Sequence, residues 1–330
     1  YTASKNGFEL WPLIPYHSQS IDFKNLNSKG PFEKQQVLNL YHRHWLGTDE
    51  LGRDLFAGLI HACKTAVLVG FGAMLIAFLL GASLGGIAGY FKNNNLRLKR
   101  STFYALGIKS TLFILIFCTL SPWEIRSITS IDLLFYFLIF SFVFSMLGLT
   151  MYLILDQFKF FHQKQSIRLD SMISRCIELI DSLPLLFLII ALSSIFAPSY
   201  FSLIFIIGFS AWPTVAKFTR AEVLKISEQN YVEAGVALGL NQFQLLRKHI
   251  LPNALTPITI SLAFIIASAI LIESTLSFLG LGLGADKVSW GSILAGARSD
   301  YQSWWLAVFP GILLFFTIYS LNKVGENWSK

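Results

Sequence analysis

Long stretches without a charged residue constrain this chain more than any other feature. Residues 66–90 carry no charge, and further apolar stretches follow at 176–197, 200–219, 257–280 and 304–322. A bilayer core ~30 Å thick needs ~20 apolar residues in one helix. The whole chain is 54% hydrophobic and 14% charged, whereas soluble domains average ~25% charged residues. The sequence therefore predicts an all-α, polytopic integral membrane protein with about five core spans.

Two more apolar stretches, at about 103–120 and 133–155, interrupt this series. Two spans in succession return a chain to the side from which it started, so this pair leaves the orientation of every later span unchanged. We interpret residues 97–165 as an inserted helical hairpin. We expect the hairpin to lie against lipid or a neighbouring subunit, away from any path through the protein.

The distribution of Lys and Arg predicts the orientation. The loops on one side of the predicted spans are rich in these residues: 91–100, 156–175 and 217–249 hold four, four and five. The loops on the other side are poor in them: 121–130, 198–203 and 281–303 hold one, none and two. Cytoplasmic loops carry the excess of Lys and Arg. The net charge of +7 is thus typical of membrane topology, and it gives no reason to expect nucleic acid as a partner.

This orientation divides the chain into regions. Residues 1–65 are polar to mixed and form an extracytoplasmic segment, which implies an earlier spanning helix that this sequence lacks. Residues 66–322 form the transmembrane domain, with a cytoplasmic loop at 220–256. Residues 323–330 form a cytoplasmic tail.

Neither cysteine nor histidine spacing indicates a metal site. Cys63, Cys118 and Cys176 are far apart, with no CxxC pair and no Cys/His cluster, so a zinc site and a disulfide framework are both unsupported. His61 and His249 have no companions at ligand spacing. We expect no bound metal.

The stretch YVEAGVALGLNQFQLLRKHILPNAL, residues 231–255, has the pattern of two short helices. Residues 228–238 can form the first, and Gly239 can end it because glycine readily adopts the left-handed cap conformation. Residues 241–250 can form the second, and Pro252 favours a break before the next span. Such a pair is suited to docking a partner. An ordinary amphipathic connector would have the same pattern.

This stretch resembles the EAA loop of the permeases of ABC-type importers. Glu233, Ala234, Gly239, Leu251 and Pro252 match that pattern. Gly235 stands where a third Ala is usual, and His249 stands where the general pattern has Ile, although peptide-type members commonly read HILPN there. The resemblance implies that the loop forms a coupling helix, which sits in a groove of a separate ATPase subunit.

A second motif, HWLGTDELGRD at His44–Asp54, resembles the GTDxxGRD segment of the C-type subunit of dipeptide and oligopeptide importers. Its matching positions are Gly47, Thr48, Asp49, Gly52, Arg53 and Asp54. Asp49, Arg53 and Asp54 could pair locally and cap a helix that begins near Leu55. They could also touch a protein that delivers substrate.

Matches to the same family continue toward the C-terminus. Asp181-Ser182-Leu183-Pro184 resembles its Asp-x-x-Pro entry to a span, and 276–282, 289–291 and 304–311 also match in the right order. The tail at 325–328 departs from the usual Gly-Asp and Arg-Asp-x-x-Asp-Pro ending.

Some residues inside the predicted spans are candidates for packing or for the transport pathway. Gly81, Gly85 and Gly89 recur every fourth residue, which favours close approach of another helix. Glu273 lies within a span, where a charge costs several kcal/mol unless it is paired or faces the interior. It could line a pathway, or it could form a structural hydrogen bond between helices.

Two other classes of function, a membrane enzyme and a secondary transporter, lack their usual sequence features here. A membrane enzyme needs a nucleophile, an acid–base pair or a metal cluster. The GxSxG letters at Gly81–Gly85 lie inside an uncharged span and not at a strand-to-helix turn, and no HExxH element is present. A secondary transporter driven by an ion gradient often shows inverted repeats, and none is visible. No Walker element, GxxxxGK[ST], occurs either.

The resemblance implies a non-enzymatic permease of the cytoplasmic (inner) membrane that works by alternating access. It implies a second, similar permease as partner, two cytoplasmic ATPase subunits that bind ATP and Mg, and an extracytoplasmic binding protein. No cofactor is expected in this chain. The substrate class stays open among dipeptides, oligopeptides, nickel and peptide antibiotics.

Overall fold

A computed structural model describes residues 14–37, 39–92, 97–99, 146, 149–150, 153, 157, 164–166, 168–284 and 287–327. The predicted spans at 103–120 and 133–155 lie almost entirely outside these described residues. The placement of the inserted hairpin therefore stays a prediction.

Helices dominate the described part of the chain, as the composition predicts. A short 3₁₀ turn, Leu40–His42, precedes them. The α-helices are α1 (Leu55–Phe91), α2 (Leu169–Asp181), α3 (Leu185–Ile195), α4 (Tyr200–Ser227), α5 (Asn230–Ala237), α6 (Gln242–Leu245), α7 (Leu251–Phe278), α8 (Trp290–Gly296) and α9 (Trp305–Asn327). A π-helical turn, Leu246–Ile250, joins α6 to α7.

Four described helices are long and apolar enough to cross a membrane: α1, α4, α7 from Pro257 onward, and α9. They cover the predicted spans at 66–90, 200–219, 257–280 and 304–322. Each of these helices extends beyond the prediction by several residues at one end or both, and α9 takes in much of the predicted tail at 323–330. Internal prolines occur in α4, α7 and α9, which membrane helices tolerate because neighbouring groups satisfy the freed carbonyls.

The predicted span at 176–197 is wrong as a single straight helix. α2 and α3 are separated at Ser182–Pro184 and meet at an angle of 88°. Pro184 is the N-cap of α3, and the ring of a proline disfavours helical geometry at the residue before it. The pair is either one broken span or a re-entrant segment.

Two three-residue strands also occur among the described residues. β1 (Arg97–Lys99) pairs antiparallel with β2 (Lys164–Ser166). The ladder brings together the chain that enters the inserted region and the chain that leaves it.

The chain divides into two compact units, and α1, α4 and α7 contribute residues to both. One unit comprises residues 1–74, 198–207 and 263–330. Its main core packs Leu55, Leu59, Ala62, Ala66, Ile266, Ile270, Trp290, Trp305, Leu306 and Leu314. The other comprises residues 75–197 and 208–262, and its main core packs Phe91, Val223, Ile226, Val232, Leu245, Leu246, Ile250 and Ala254.

Candidate functional site

The elbow region, residues 228–250, contains two short helices joined by a sharp turn, as the sequence predicts. The Leu240 amide donates to the Gly235 carbonyl (3.1 Å) and the Gly239 amide donates to the Val236 carbonyl (3.0 Å). This is the pair of bonds of a Schellman C-cap. Gly239 has a φ of 80°, the left-handed conformation predicted for it.

The second helix of the elbow runs into α7 without a break, which corrects the prediction made from Pro252. The Leu251 amide donates to the Leu246 carbonyl, one residue further back than in an α-helix. Pro252 lies just beyond this π turn, whose wider hydrogen bond already interrupts the regular α-helical ladder, so the helix continues past a residue that has no amide donor. His249 lies in the π turn and is exposed, and Leu251 is half-buried.

An apolar base holds the elbow against helices of the same unit. The buried side chains of this base are Phe91 of α1, Val223 and Ile226 of α4, Val232 of α5, and Leu245, Leu246, Ile250 and Ala254. Gly235 is buried in it, and a Cβ at that position would lie 2.8 Å from Leu245 Cδ1. The small residue therefore lets α5 and α6 approach closely.

The outer face of the elbow exposes apolar side chains beside an acidic one. Glu233 and Ala234 are exposed, and so are Tyr231, Val236, Leu238, Leu240 and Phe243, with Leu238 at 83%. The sequence analysis missed these apolar residues. The available signal was that hydrophobic residues flank Gly239 at a turn, where polar residues are usual.

The second motif folds into an N-terminal polar core, defined here as Tyr16, Asp22, His44, Thr48 and Asp54. His44 is fully buried. Its Nδ1 lies 2.8 Å from Asp54 Oδ1 and its Nε2 lies 3.2 Å from Asp22 Oδ2. The ring of Tyr16 stacks on the imidazole with centroids 4.3 Å apart. Both ring nitrogens can donate only when His44 is protonated.

The electrostatics of the polar core agree with a protonated His44. Burial lowers the pKa of His44, but hydrogen bonds and charges from Asp54 and Asp22 outweigh burial and raise it overall. Burial and the negative charges of Asp22 and Asp54 raise the pKa of Tyr16 to about 12. Burial also raises the pKa of Asp22, yet hydrogen bonds from Asn25, the Lys24 amide and His44 lower it overall.

Asp54 joins this core to the first long helix. Its Oδ2 accepts a hydrogen bond of 2.7 Å from the Ala57 amide, so Asp54 caps α1, which begins at Leu55. Asp49 accepts from the Arg53 amide (2.8 Å) and from Arg53 Nε (2.6 Å). The predicted local pairing and helix capping are confirmed. The contact with a delivery protein stays a prediction.

Thr48 ties the motif to α9. Its buried hydroxyl donates to the Asn25 carbonyl (3.1 Å), and its own carbonyl accepts from Trp305 Nε1 (3.0 Å). Gly47 and Gly52 have φ values of 89° and 74°, so both sit in the region that favours glycine. All six matching positions of the motif therefore have a structural role.

The glycine stripe of α1 packs against α4. A Cβ at Gly81 would lie 2.8 Å from the Trp212 carbonyl oxygen, and a Cβ at Gly89 would lie 2.8 Å from that of Arg220. A Cβ at Gly85 would overlap the Ala216 backbone. The close approach predicted from the spacing is confirmed.

Glu273 bonds to serines and is only 1% exposed. Ser277 Oγ donates to Oε1 (2.7 Å) and Ser274 Oγ donates to Oε2 (3.3 Å). Both serines belong to α7, so these hydrogen bonds lie within one helix. The geometry therefore gives Glu273 hydrogen-bond partners in its own helix, and the bond between helices stays a prediction.

Asp181 ends α2 and accepts a hydrogen bond of 2.7 Å from Lys217 Nζ of α4. This pair is exposed and lies next to the break before Pro184. Among the described residues, no group of three or more His, Cys, Asp or Glu side chains could hold a metal ion.

About half of the chain matches a known protein family. The family described as "Binding-protein-dependent transport system inner membrane component" matches residues 159–326. This range contains the elbow region, the α2–α3 break and Glu273.

Individual relatives carry related descriptions. The chain is 27% identical over 285 residues to the dipeptide transport system permease protein DppC of Bacillus subtilis, which covers 86% of this chain and 66% of the relative. It is 36% identical over 161 residues to a putative peptide transport system permease protein of Brucella suis, covering 48% and 54%. It is 34% identical over 158 residues to the oligopeptide transport system permease protein OppC of Haemophilus influenzae, covering 48% and 51%. The chain thus spans two thirds or less of the length of these relatives.

A solved structure has the same fold. A chain of the MetNI methionine ABC transporter in an inward-facing conformation matches with a TM-score of 0.52 at 13% identity. The match covers 82% of this chain and 94% of that chain.

Proposed function

Since this chain belongs to the family of inner membrane components of binding-protein-dependent transport systems, we propose that it is the permease subunit of an ATP-driven importer. The observation that carries the proposal is the elbow region. Its outer face exposes Leu238, Val236 and Phe243 to solvent, while its inner face is fixed to α1, α4 and α7. An exposed apolar surface on a rigid base is typical of a docking site.

The docked partner is a separate ATPase subunit, which binds ATP and Mg. When two such subunits close, they move two elbows, and the helices anchored to each elbow follow. Each state of the permease is then favoured by a different set of contacts, as any driven conformational change requires. A second, similar permease encloses the other half of the path, and the elbow faces the cytoplasm.

The substrates are peptides, and an extracytoplasmic binding protein delivers them. Three relatives named as dipeptide, peptide and oligopeptide permeases support the peptide class. The HILPN sequence at the end of the elbow, which resembles peptide-type members, supports it as well. Metal ions and peptide antibiotics are the competing classes.

Co-purification with the ATPase subunits of the same transport system tests the docking role. We expect Leu238→Asp and Glu233→Lys to abolish co-purification and substrate uptake, since an apolar contact is lost in one and a charge is reversed in the other. Phe32→Asp and Glu326→Lys are matched controls, because both residues are exposed and lie outside the elbow. Full uptake by both elbow variants, with the ATPase still bound, would overturn the proposal.

A further inference from the structure

The inserted region begins and ends at one place. β1 and β2 pair with Arg97 opposite Ser166 and Lys99 opposite Lys164. Just beyond the ladder, the Asp170 amide donates to the Lys92 carbonyl (3.4 Å). The chain between residues 99 and 164 therefore leaves and returns side by side. We call the described residues 92, 97–99, 164–166 and 168 the basic stem.

The basic stem concentrates positive charge. Lys92, Arg97, Lys99, Lys164 and Arg168 are cations, and none of the described stem residues is acidic. Lys99 and Lys164 occupy directly opposite positions, where like charges destabilise strand pairing. A two-stranded ladder is marginal in water even without such repulsion. An anion bound at the stem would remove this penalty.

Two acidic groups, Asp170 and Glu228, lie near the described ends of the stem. Asp170 is committed to Arg220, which donates to it through Nε (2.5 Å) and Nη2 (2.9 Å). Glu228 lies 3.5 Å from Lys92, but both side chains are well exposed, and exposed pairs contribute little. At the Lys92 end of the stem, the positive charge is therefore only weakly compensated.

The stem lies where a span ends. Residues 65–91 carry no charge and all belong to α1. At ~1.5 Å per residue they extend over ~40 Å, which matches a bilayer of ~40–45 Å including its headgroups. Lys92 and the stem then come at the level of the headgroups, on the side that loop charges predict to be cytoplasmic. Anionic lipid phosphates attract Lys and Arg at this level.

The stem is also connected to the base of the elbow. Phe91 directly precedes the stem and lies in the buried apolar cluster with Val232 and Leu245. Leu169 directly follows the stem and packs against the same cluster. A ligand that orders the stem would therefore steady the support of the elbow region.

We propose that the basic stem is a binding site for the phosphate headgroups of anionic phospholipids, and that binding stabilises the ladder and the elbow base beside it. Lipid is favoured over free phosphate or an acidic protein because the stem continues directly from the membrane-level end of α1. This inference does not depend on the proposed function, because it concerns only this chain and its bilayer.

Amide exchange of the purified full-length chain in lipid nanodiscs tests the site. We expect phosphatidylglycerol mixed into phosphatidylcholine to slow exchange in β1 and β2 by roughly fivefold or more relative to phosphatidylcholine alone, since a fivefold change corresponds to the ~1 kcal/mol that a single Lys near an anionic surface contributes. The variant Lys99→Gln/Lys164→Gln should lose this response. Its ladder should be at least as protected as the parent's in phosphatidylcholine, since the like-charge pair is gone.

The matched control is Lys225→Gln/Lys323→Gln, which removes the same charge from cytoplasmically placed helix ends outside the stem. It should keep the parent's response to phosphatidylglycerol. The proposal is overturned if both double variants behave alike, or if the parent does not respond. It is also overturned if inorganic phosphate in phosphatidylcholine discs reproduces the protection, or if only an added ATPase subunit protects the ladder. No outcome relies on transport, so a failure here leaves the permease assignment standing.

Discussion

The N-terminal polar core and the elbow region both carry family-like motifs, but they use their side chains in opposite ways. In the polar core, His44, Thr48 and Asp54 are buried and bonded to one another or to neighbouring backbone. In the elbow, Leu238 and Phe243 face outward without covering. The first motif completes its own fold. The second leaves an apolar face that a partner can cover.

This contrast bears on how motif residues are interpreted. Asp49, Arg53 and Asp54 are charged residues in a conspicuous motif, a pattern typical of a binding site. Yet Asp54 caps α1 and Asp49 pairs with Arg53, so their chemistry serves local structure. In the elbow, the residues best suited to contact a partner are the exposed hydrophobic ones around Gly239.

The largest expected effect is the loss of His44. Replacing His44 with Ala leaves Asp54 and Asp22 facing each other without their shared cation. Removing one partner of a buried ion pair costs ~3–5 kcal/mol. Hydrogen exchange should therefore show local opening of residues 14–54, while the elbow keeps its protection. Phe32→Ala, at an exposed position of the same segment, serves as the control. Unchanged exchange at residues 14–54 would mean that the polar core does not hold the segment together.

The next effect concerns the elbow geometry. Gly239→Val forces a β-branched side chain into a left-handed conformation, which costs ~1–2 kcal/mol, although a Cβ there meets no atom within 4 Å. We expect the turn to change direction and uptake to fall sharply, with no loss of insertion or of protection at residues 14–54. Uptake assays in membrane vesicles measure the loss of transport, and hydrogen exchange measures the protection of residues 14–54. Full-rate uptake with the ATPase bound would show that the left-handed turn is dispensable.

Local patterns predicted much of this molecule, and the failures have physical causes. The start of α1 near Leu55 and the turn at Gly239 follow from capping rules that act over a few residues. The prediction from Pro252 was wrong because the π turn before it lets the helix continue past a proline. Asp22 was missed because it reaches His44 from 22 residues away, and no local spacing signals such a contact. The bend at Ser182–Pro184 was missed because the span at 176–197 was assigned from its apolar length, although Pro184 is a local signal for a break.

A smaller effect, the pH dependence of hydrogen-exchange protection, distinguishes the N-terminal polar core from the elbow. The pKa of His44 is raised, so its contribution is complete below the unfolded value of ~6.5 and is lost as the pH rises through the higher folded value. The pKa of Asp22 is lowered, so its contribution is complete above ~3.9 and is lost as the pH falls. Protection of residues 14–54 should therefore be greatest between about pH 4 and 6.5. In His44→Gln the decline at high pH should disappear, and a decline that persists would assign it to another group.

The smallest expected effect is at Gly235, the position where this elbow departs from the Ala usual in similar loops. Alanine in place of glycine stabilises a helix interior by ~0.5–1 kcal/mol. The added Cβ would lie 2.8 Å from Leu245 Cδ1, the mobile end of a side chain, so Leu245 can move away at some cost in packing. The two effects oppose each other. We therefore expect Gly235→Ala to change the free energy of opening that amide exchange reports for α5 by less than ~1 kcal/mol, while uptake is retained. The comparison variant is Gly239→Ala, where the φ of 80° gives a penalty without any compensating gain in helix propensity. If Gly235→Ala disrupts the elbow as strongly as Gly239→Ala does, then the close contact of α5 with Leu245, and not the turn, controls the shape of the docking face.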